Sequence, residues 1–144
     1  MRIVFDTNVL ARAHQLARGP ARRALLYVAA GSDVLIVSQY LLQELRRILA
    51  YPRVLKSSGL SAEDTSDYLD YLARVSTLVH PLPVPEKLLR DPADEPVLGT
   101  ALAGKADIIC TRDADFFTDE VRSFSAAHGV KILSDLELLR ALQL

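Results

Sequence analysis

Four acids stand where acids are poor fold-builders. Asp6 closes the apolar run Arg2-Ile3-Val4-Phe5, and Asp113 follows the apolar run Ile108-Ile109-Cys110 by three residues. Glu44 sits in a leucine-rich helical stretch, and Asp94 opens another helix. Brought together, such carboxylates repel and raise one another's pKa values. A hard divalent cation with oxygen ligands, Mg²⁺ or Mn²⁺, relieves that repulsion, and a pocket of this kind does chemistry on phosphates. No His or Cys lies among the candidates, which argues against zinc. His14, His80 and His128 show no ligand spacing and are expected on the surface or in loops.

Each acid also has a plainer use. Asp6 suits the N-cap of the helix that follows it, and so does Asp94 in Asp91-Pro92-Ala93-Asp94-Glu95-Pro96. Asp91 and Glu95 compete with Asp94 for any metal role. Asp113 and Asp115, two apart, could simply brace a turn. On a helical wheel with Leu41 at zero, Leu45, Leu49, Leu42 and Ile48 span roughly 340° through 100°. Glu44 falls near about 300°, at the margin of that stripe, where it could pair with Arg46 or Arg47 instead of a metal.

The elements that must position these acids are short and alternate. Ile3 to Phe5 reads as a buried strand, continuous and apolar. Helices are expected over 7–15 and 20–30, the second opened by Pro20 and closed by Gly31. Val34 to Val37 is a second strand. Ser38 then caps a helix from Gln39 to Tyr51, which stops before Pro52. Ser61 caps a long helix over 62–75, with Glu63 and Asp64 in its first turn. Thr77 to His80 suggests a third strand, and Pro81, Pro83 and Pro85 make an extended surface connector. Residues 95–103 form a helix, Ile108 to Cys110 a fourth strand, 119–127 a helix and Val130 to Leu133 a fifth strand. Ser134 caps the last helix, with Leu136, Leu139 and Leu142 at helical spacing.

Continuous apolar strands alternating with helices indicate a parallel sheet covered on both faces. Ligands of such sheets bind beyond the carboxyl ends of the strands, where Asp6, Ser38 and Asp113 all fall. The chain has 144 residues, which suits a single domain over 1–144. No apolar stretch is long enough to span a membrane. The start is strand-like and lacks the regions of a secretory signal, and the lone cysteine, Cys110, is expected buried and inert. A cytoplasmic protein is expected. The net charge of −1 predicts no general attraction for nucleic acid, so any such binding needs a local patch. Thirteen of the 17 basic residues are Arg, which forks well onto phosphate, although a GC-rich genome gives the same bias.

Four blocks in this order resemble the PIN-domain nucleases: Phe5-Asp6-Thr7-Asn8-Val9-Leu10, Gln43-Glu44-Leu45, Asp94 through Ala101, and Thr111-Arg112-Asp113-Ala114-Asp115-Phe116. The likeness covers nearly the whole chain. Arg90-Asp91-Pro92-Ala93-Asp94 ahead of Ala101-Leu102-Ala103-Gly104-Lys105-Ala106-Asp107 is similar to the bacterial, VapC-like branch assigned as toxins of toxin–antitoxin pairs. The resemblance implies a three-layer α/β/α PIN-like fold with a mostly parallel sheet of five strands. It also implies a Mg²⁺- or Mn²⁺-dependent endoribonuclease. Asp6, Glu44, Asp94 and Asp113 fall on the family's four acids, and Asp115 on an additional acid beside the metal. Asn8, Ser38 and Thr111 fall on supporting polar positions, and Asp91 could supplement Asp94. Pro96 departs from the apolar residue usual there but suits a first helical turn.

The implied reaction is metal-assisted hydrolysis of a phosphodiester. Arg12, Arg18, Arg22 and Arg23 could line the RNA path or lie on a solvated helix face. An antitoxin partner and a homodimer are expected from the same resemblance. Tyr68, Leu69, Tyr71, Leu72 and Val75 are available for dimerisation or for core packing. The alternatives are a housekeeping RNA-processing nuclease and a silent domain that binds RNA or protein. A haloacid-dehalogenase-like phosphatase would need an acid where Asn8 stands. A receiver domain would need an acid pair at the first strand's end and a Lys beyond the fifth strand, whereas Lys131 lies inside it.

Overall fold

The computed structural model describes residues 1–143. Five strands form one sheet: β1 (Arg2–Phe5), β2 (Val34–Ser38), β3 (Ser76–Val79), β4 (Ile108–Cys110) and β5 (Lys131–Leu133). Their order is β3-β2-β1-β4-β5, and every pairing is parallel. The chain steps outward from β1 to β2 to β3, then returns to the other side of β1 for β4. That reversal makes a switch point between β1 and β4, which is where open parallel sheets bind ligands.

The continuous apolar strands have the cause the sequence suggested. Ile3 and Phe5 of β1, with Ile108 and Cys110 of β4, face one core. On that side pack α1 (Thr7–Leu10), α2 (Pro20–Ala30), α3 (Gln39–Leu49), α5 (Ala62–Val75) and α8 (Asp135–Gln143). Val4, Ile36 and Ile109 face a second core with α6 (Glu95–Ala103) and α7 (Asp119–Ala127). The architecture is a three-layer α/β/α sandwich. No described helix is long and apolar enough to cross a membrane.

Several elements differ from expectation. The helix expected over 7–15 ends at Leu10. Beyond it the chain tightens into i→i−3 bonds from Arg12 to Val9 and from Ala13 to Leu10, and the Leu16 amide donates to His14 Nδ1 across 3.2 Å. This bend turns Ala13 and His14 inward, so His14 is buried and not on the surface. Burial, then the neighbouring Arg22, lowers its pKa and favours the neutral ring. The helix from Gln39 ends at Leu49, and a helix that was not expected, α4 (Pro52–Ser58), begins with Pro52 at its first position. Gly59 stops α4 in the left-handed region, at φ 74°. In α8, Leu136 is exposed while Leu138 joins Leu139 and Leu142 in the core. On α5, Tyr68, Leu69 and Leu72 are buried, and the Tyr68 hydroxyl donates to Leu10 O across 2.7 Å. Those residues are core, which removes them as a dimer surface.

The proline connector runs against α6. The Leu82 amide donates to Gly99 O across 3.0 Å, and a Cβ on Gly99 would collide with the Leu82 carbonyl. Glycine therefore lets the connector lie directly on the helix that follows Asp94.

Candidate metal centre

The C-terminal end of β1 delivers Asp6, and that of β4 delivers Thr111 and Asp113. Because the strands are adjacent and parallel, with Phe5 opposite Cys110, these side chains meet at the switch point. Asp6 is buried and well held. Its Oδ1 accepts the Thr7 amide across 2.7 Å, and its Oδ2 accepts the Thr111 hydroxyl across 2.7 Å. Asn8 Nδ2 donates to the same Oδ2 across 3.3 Å. The capping and site readings of Asp6 are both satisfied: one oxygen caps α1, and the other faces the β4 end. Burial, with Asp113 adding to it, raises the Asp6 pKa against the opposing hydrogen bonds from Thr111 and Thr7.

Asp94, Asp113 and Asp115 each offer a carboxylate oxygen, all within 4.8 Å of one another. Asp94 makes no capping bond to α6. The cap there is Asp91, whose Oδ1 accepts the Ala93 amide across 3.0 Å at the start of a 3₁₀ turn, Pro92–Asp94. The Asp94 carboxylate thus caps nothing and faces the other acids, within hydrogen-bond reach of Asp113. Burial first, then the charges of Asp113 and Asp6, push its pKa up to about 7. Asp113 Oδ1 accepts the Asp115 amide across 2.9 Å, which braces a second 3₁₀ turn, Ala114–Phe117, and leaves Oδ2 available.

The remaining expected residues divide. Thr111 is fully buried, and its oxygen also accepts the Asp113 amide across 3.1 Å. Ser38 is buried, caps α3 through Leu41 N, and accepts the Thr100 hydroxyl across 2.9 Å, tying β2 to α6. Glu44 is not in the gathered group: its carboxylate pairs with Arg47, one turn along α3. Arg22 Nη1 donates to Ala13 O across 3.0 Å, which braces the α1–α2 bend, and its side chain also borders an open hollow with Gln15 and Tyr71. Arg12, Arg18 and Arg23 are exposed. Lys87 and Arg90, to which the sequence reading gave no site role, share a hollow of about 480 Å³ with Asp115. Arg112 and Asp135 were also missed, because nothing in their spacing marks a pair that only the fold brings together.

The donor set fits a hard divalent cation. The gathered oxygens are carboxylates, like charges raise the pKa of Asp94, and no sulfur or imidazole intrudes. Cys110 lies beneath the site, but burial pushes its thiol pKa up and keeps it protonated.

A family model described as PIN domain matches residues 2–115. No curated protein matches the chain in sequence. Among solved structures, the fold is similar to a chain in the crystal structure of VapBC2 from Rickettsia felis bound to a DNA fragment from their promoter. The identity is 15%, the alignment covers 92% of this chain and 98% of that one, and the TM-score is 0.55.

Proposed function

The chain belongs to the PIN-domain family, and from that premise we propose that it is a Mg²⁺- or Mn²⁺-dependent endoribonuclease, the toxin of a toxin–antitoxin pair. The observation that carries the reading is the convergence of Asp94, Asp113 and Asp115 beside Asp6 at the switch point. Nucleases of this family hydrolyse phosphodiesters with divalent cations.

In this reading Asp94, Asp113 and Asp115 hold the cation, with Asp6 completing the set. Bound there, the cation supplies Lewis acidity toward a phosphate oxygen and acidifies a water. Asn8 and Thr111 fix the Asp6 carboxylate so that no reorganisation is needed when substrate arrives. The shared repulsion keeps Asp94 ready to exchange a proton for the metal. Glu44 would be a further ligand if released from Arg47. Arg12, Arg18, Arg22 and Arg23 stay candidates for the RNA path, and Asp91 acts as a brace beside Asp94.

The likeness to a VapBC2 chain supports a search for a protein partner encoded beside this one. Cytoplasmic location, the single 1–144 domain and a homodimer go with the same reading. The test is digestion of a defined RNA panel with Mg²⁺, Mn²⁺ or chelator, wild type beside Asp94→Asn. Metal-dependent cleavage lost in the variant supports the nuclease. RNA binding without cleavage in any metal would favour the silent domain instead. Growth arrest relieved by the neighbouring gene product separates the toxin from a housekeeping nuclease.

A further inference from the structure

Arg112 stands between two residues of the acid site. Thr111 before it donates to Asp6, and Asp113 after it belongs to the gathered carboxylates. The Arg112 amide donates to Asn8 Oδ1 across 3.2 Å, so its backbone is fastened to the site. Its side chain is turned elsewhere. Nη1 lies 3.8 Å from Asp135 Oδ2, with the arginine side chain about half exposed and the Asp135 side chain buried.

Asp135 is otherwise bonded at Oδ1, which accepts the Leu136 amide across 3.0 Å. Burying a carboxylate with so loose a partner at Oδ2 is unfavourable. The start of α8 does not need it as a cap. Ser134 and Glu137 already bond each other's amides, at 3.1 and 3.0 Å. Asp135 instead faces the Arg112 guanidinium, which is turned toward α8. At 3.8 Å the contact is longer than a charge-assisted hydrogen bond of about 2.7–2.9 Å. The donors of the fork are therefore not consumed.

We propose that Arg112 grips the phosphodiester backbone of single-stranded RNA at the acid site, and that Asp135 is its positioning residue. The inference rests on the nuclease reading. The planar fork matches two phosphate oxygens at once. The protein's net charge of −1 supplies no general attraction, so a local cation must draw the strand toward a cluster of its own charge.

Binding is measured in an Asp94→Asn background with Mg²⁺, by the anisotropy of a short labelled single-stranded RNA across a salt series. Adding Arg112→Ala is expected to weaken binding roughly tenfold and to lower the salt slope by about 0.7, the loss of one phosphate contact. Adding Asp135→Asn weakens binding less, and the two together do no more than Arg112→Ala alone. If Arg112 serves only to offset the buried Asp135 charge, Arg112→Ala lowers the melting temperature and Asp135→Asn restores it. Affinity and salt slope then stay at the parent's values, and the inference is overturned. Arg112-dependent binding by a protein that cleaves nothing upholds the inference and removes the nuclease reading. Cleavage with RNA affinity indifferent to Arg112 does the reverse, and a parent that binds no RNA overturns both.

Discussion

The Thr111 hydroxyl donates to Asp6 across 2.7 Å while accepting the Asp113 amide across 3.1 Å. One buried oxygen thus joins the acid after β1 to the loop after β4. Two strand ends meet in register, and this hydroxyl converts their proximity into a fixed distance between carboxylates.

Thr111→Val keeps the shape and removes the hydroxyl. It leaves the Asp113 amide and an Asp6 oxygen short of a partner, at an expected cost of about 1–3 kcal/mol. RNA cleavage should fall at least tenfold, and Thr111→Ser should recover most of it. Urea unfolding alongside cleavage rates checks both; cleavage unchanged in Thr111→Val would show that Asp6 needs no such anchor.

Asp94 sets a pH dependence. It releases its proton near pH 4 when unfolded but near 7 when folded. Between those values the folded chain binds more protons than the unfolded one, so stability falls as pH rises and levels off above about 7. The raised Asp6 acts in the same direction, and the lowered His14 opposes both. In chelator, the melting temperature of wild type should therefore drop across this window more than that of Asp94→Asn. Mn²⁺ should restore it far more at pH 8 than at pH 5, since proton and metal compete. Identical pH profiles for the two proteins would refute a raised Asp94.

Arg47 holds Glu44 on the helix surface. Arg47→Ala should tighten Mn²⁺ binding by a factor of a few while barely moving the melting temperature, because Arg47 is exposed. Glu44→Gln should weaken it. Calorimetric titration decides, and equal affinities in all three proteins would remove Glu44 from the ligand set.

Gly99→Ala forces a methyl group against the Leu82 carbonyl. Separating the connector from α6 should cost about 1–3 kcal/mol. Because α6 follows directly on Asp94, metal affinity should fall with stability. Denaturation and metal titration of this variant test the linkage; lost stability with unchanged metal affinity would separate the two.

The sheet was readable because both its faces are covered. Ile3 to Phe5 and Ile108 to Cys110 admit no polar residue, and that pattern survives without tertiary knowledge. Asp6, Asp94 and Asp113 were readable because they sit at element ends, where position follows from topology. Glu44 is mid-helix, so its partner depends on a rotamer and not on spacing. The early end of α1 was hidden because the bend answers to the burial of Ala13 and His14, a tertiary gain that overrides local periodicity. The restart at Pro52 was marked by the proline itself, which opens a helix as readily as it closes one.

Register also dictates timing. Val4 lies opposite Ile109, and the Asp6 amide reaches the Cys110 carbonyl across 2.9 Å. On a ribosome, the first carboxylate emerges long before the strand that completes its surroundings. Half-made copies therefore carry scattered charges and no centre, and whatever this domain does to its target begins only after β4 and the loop beyond it have been made.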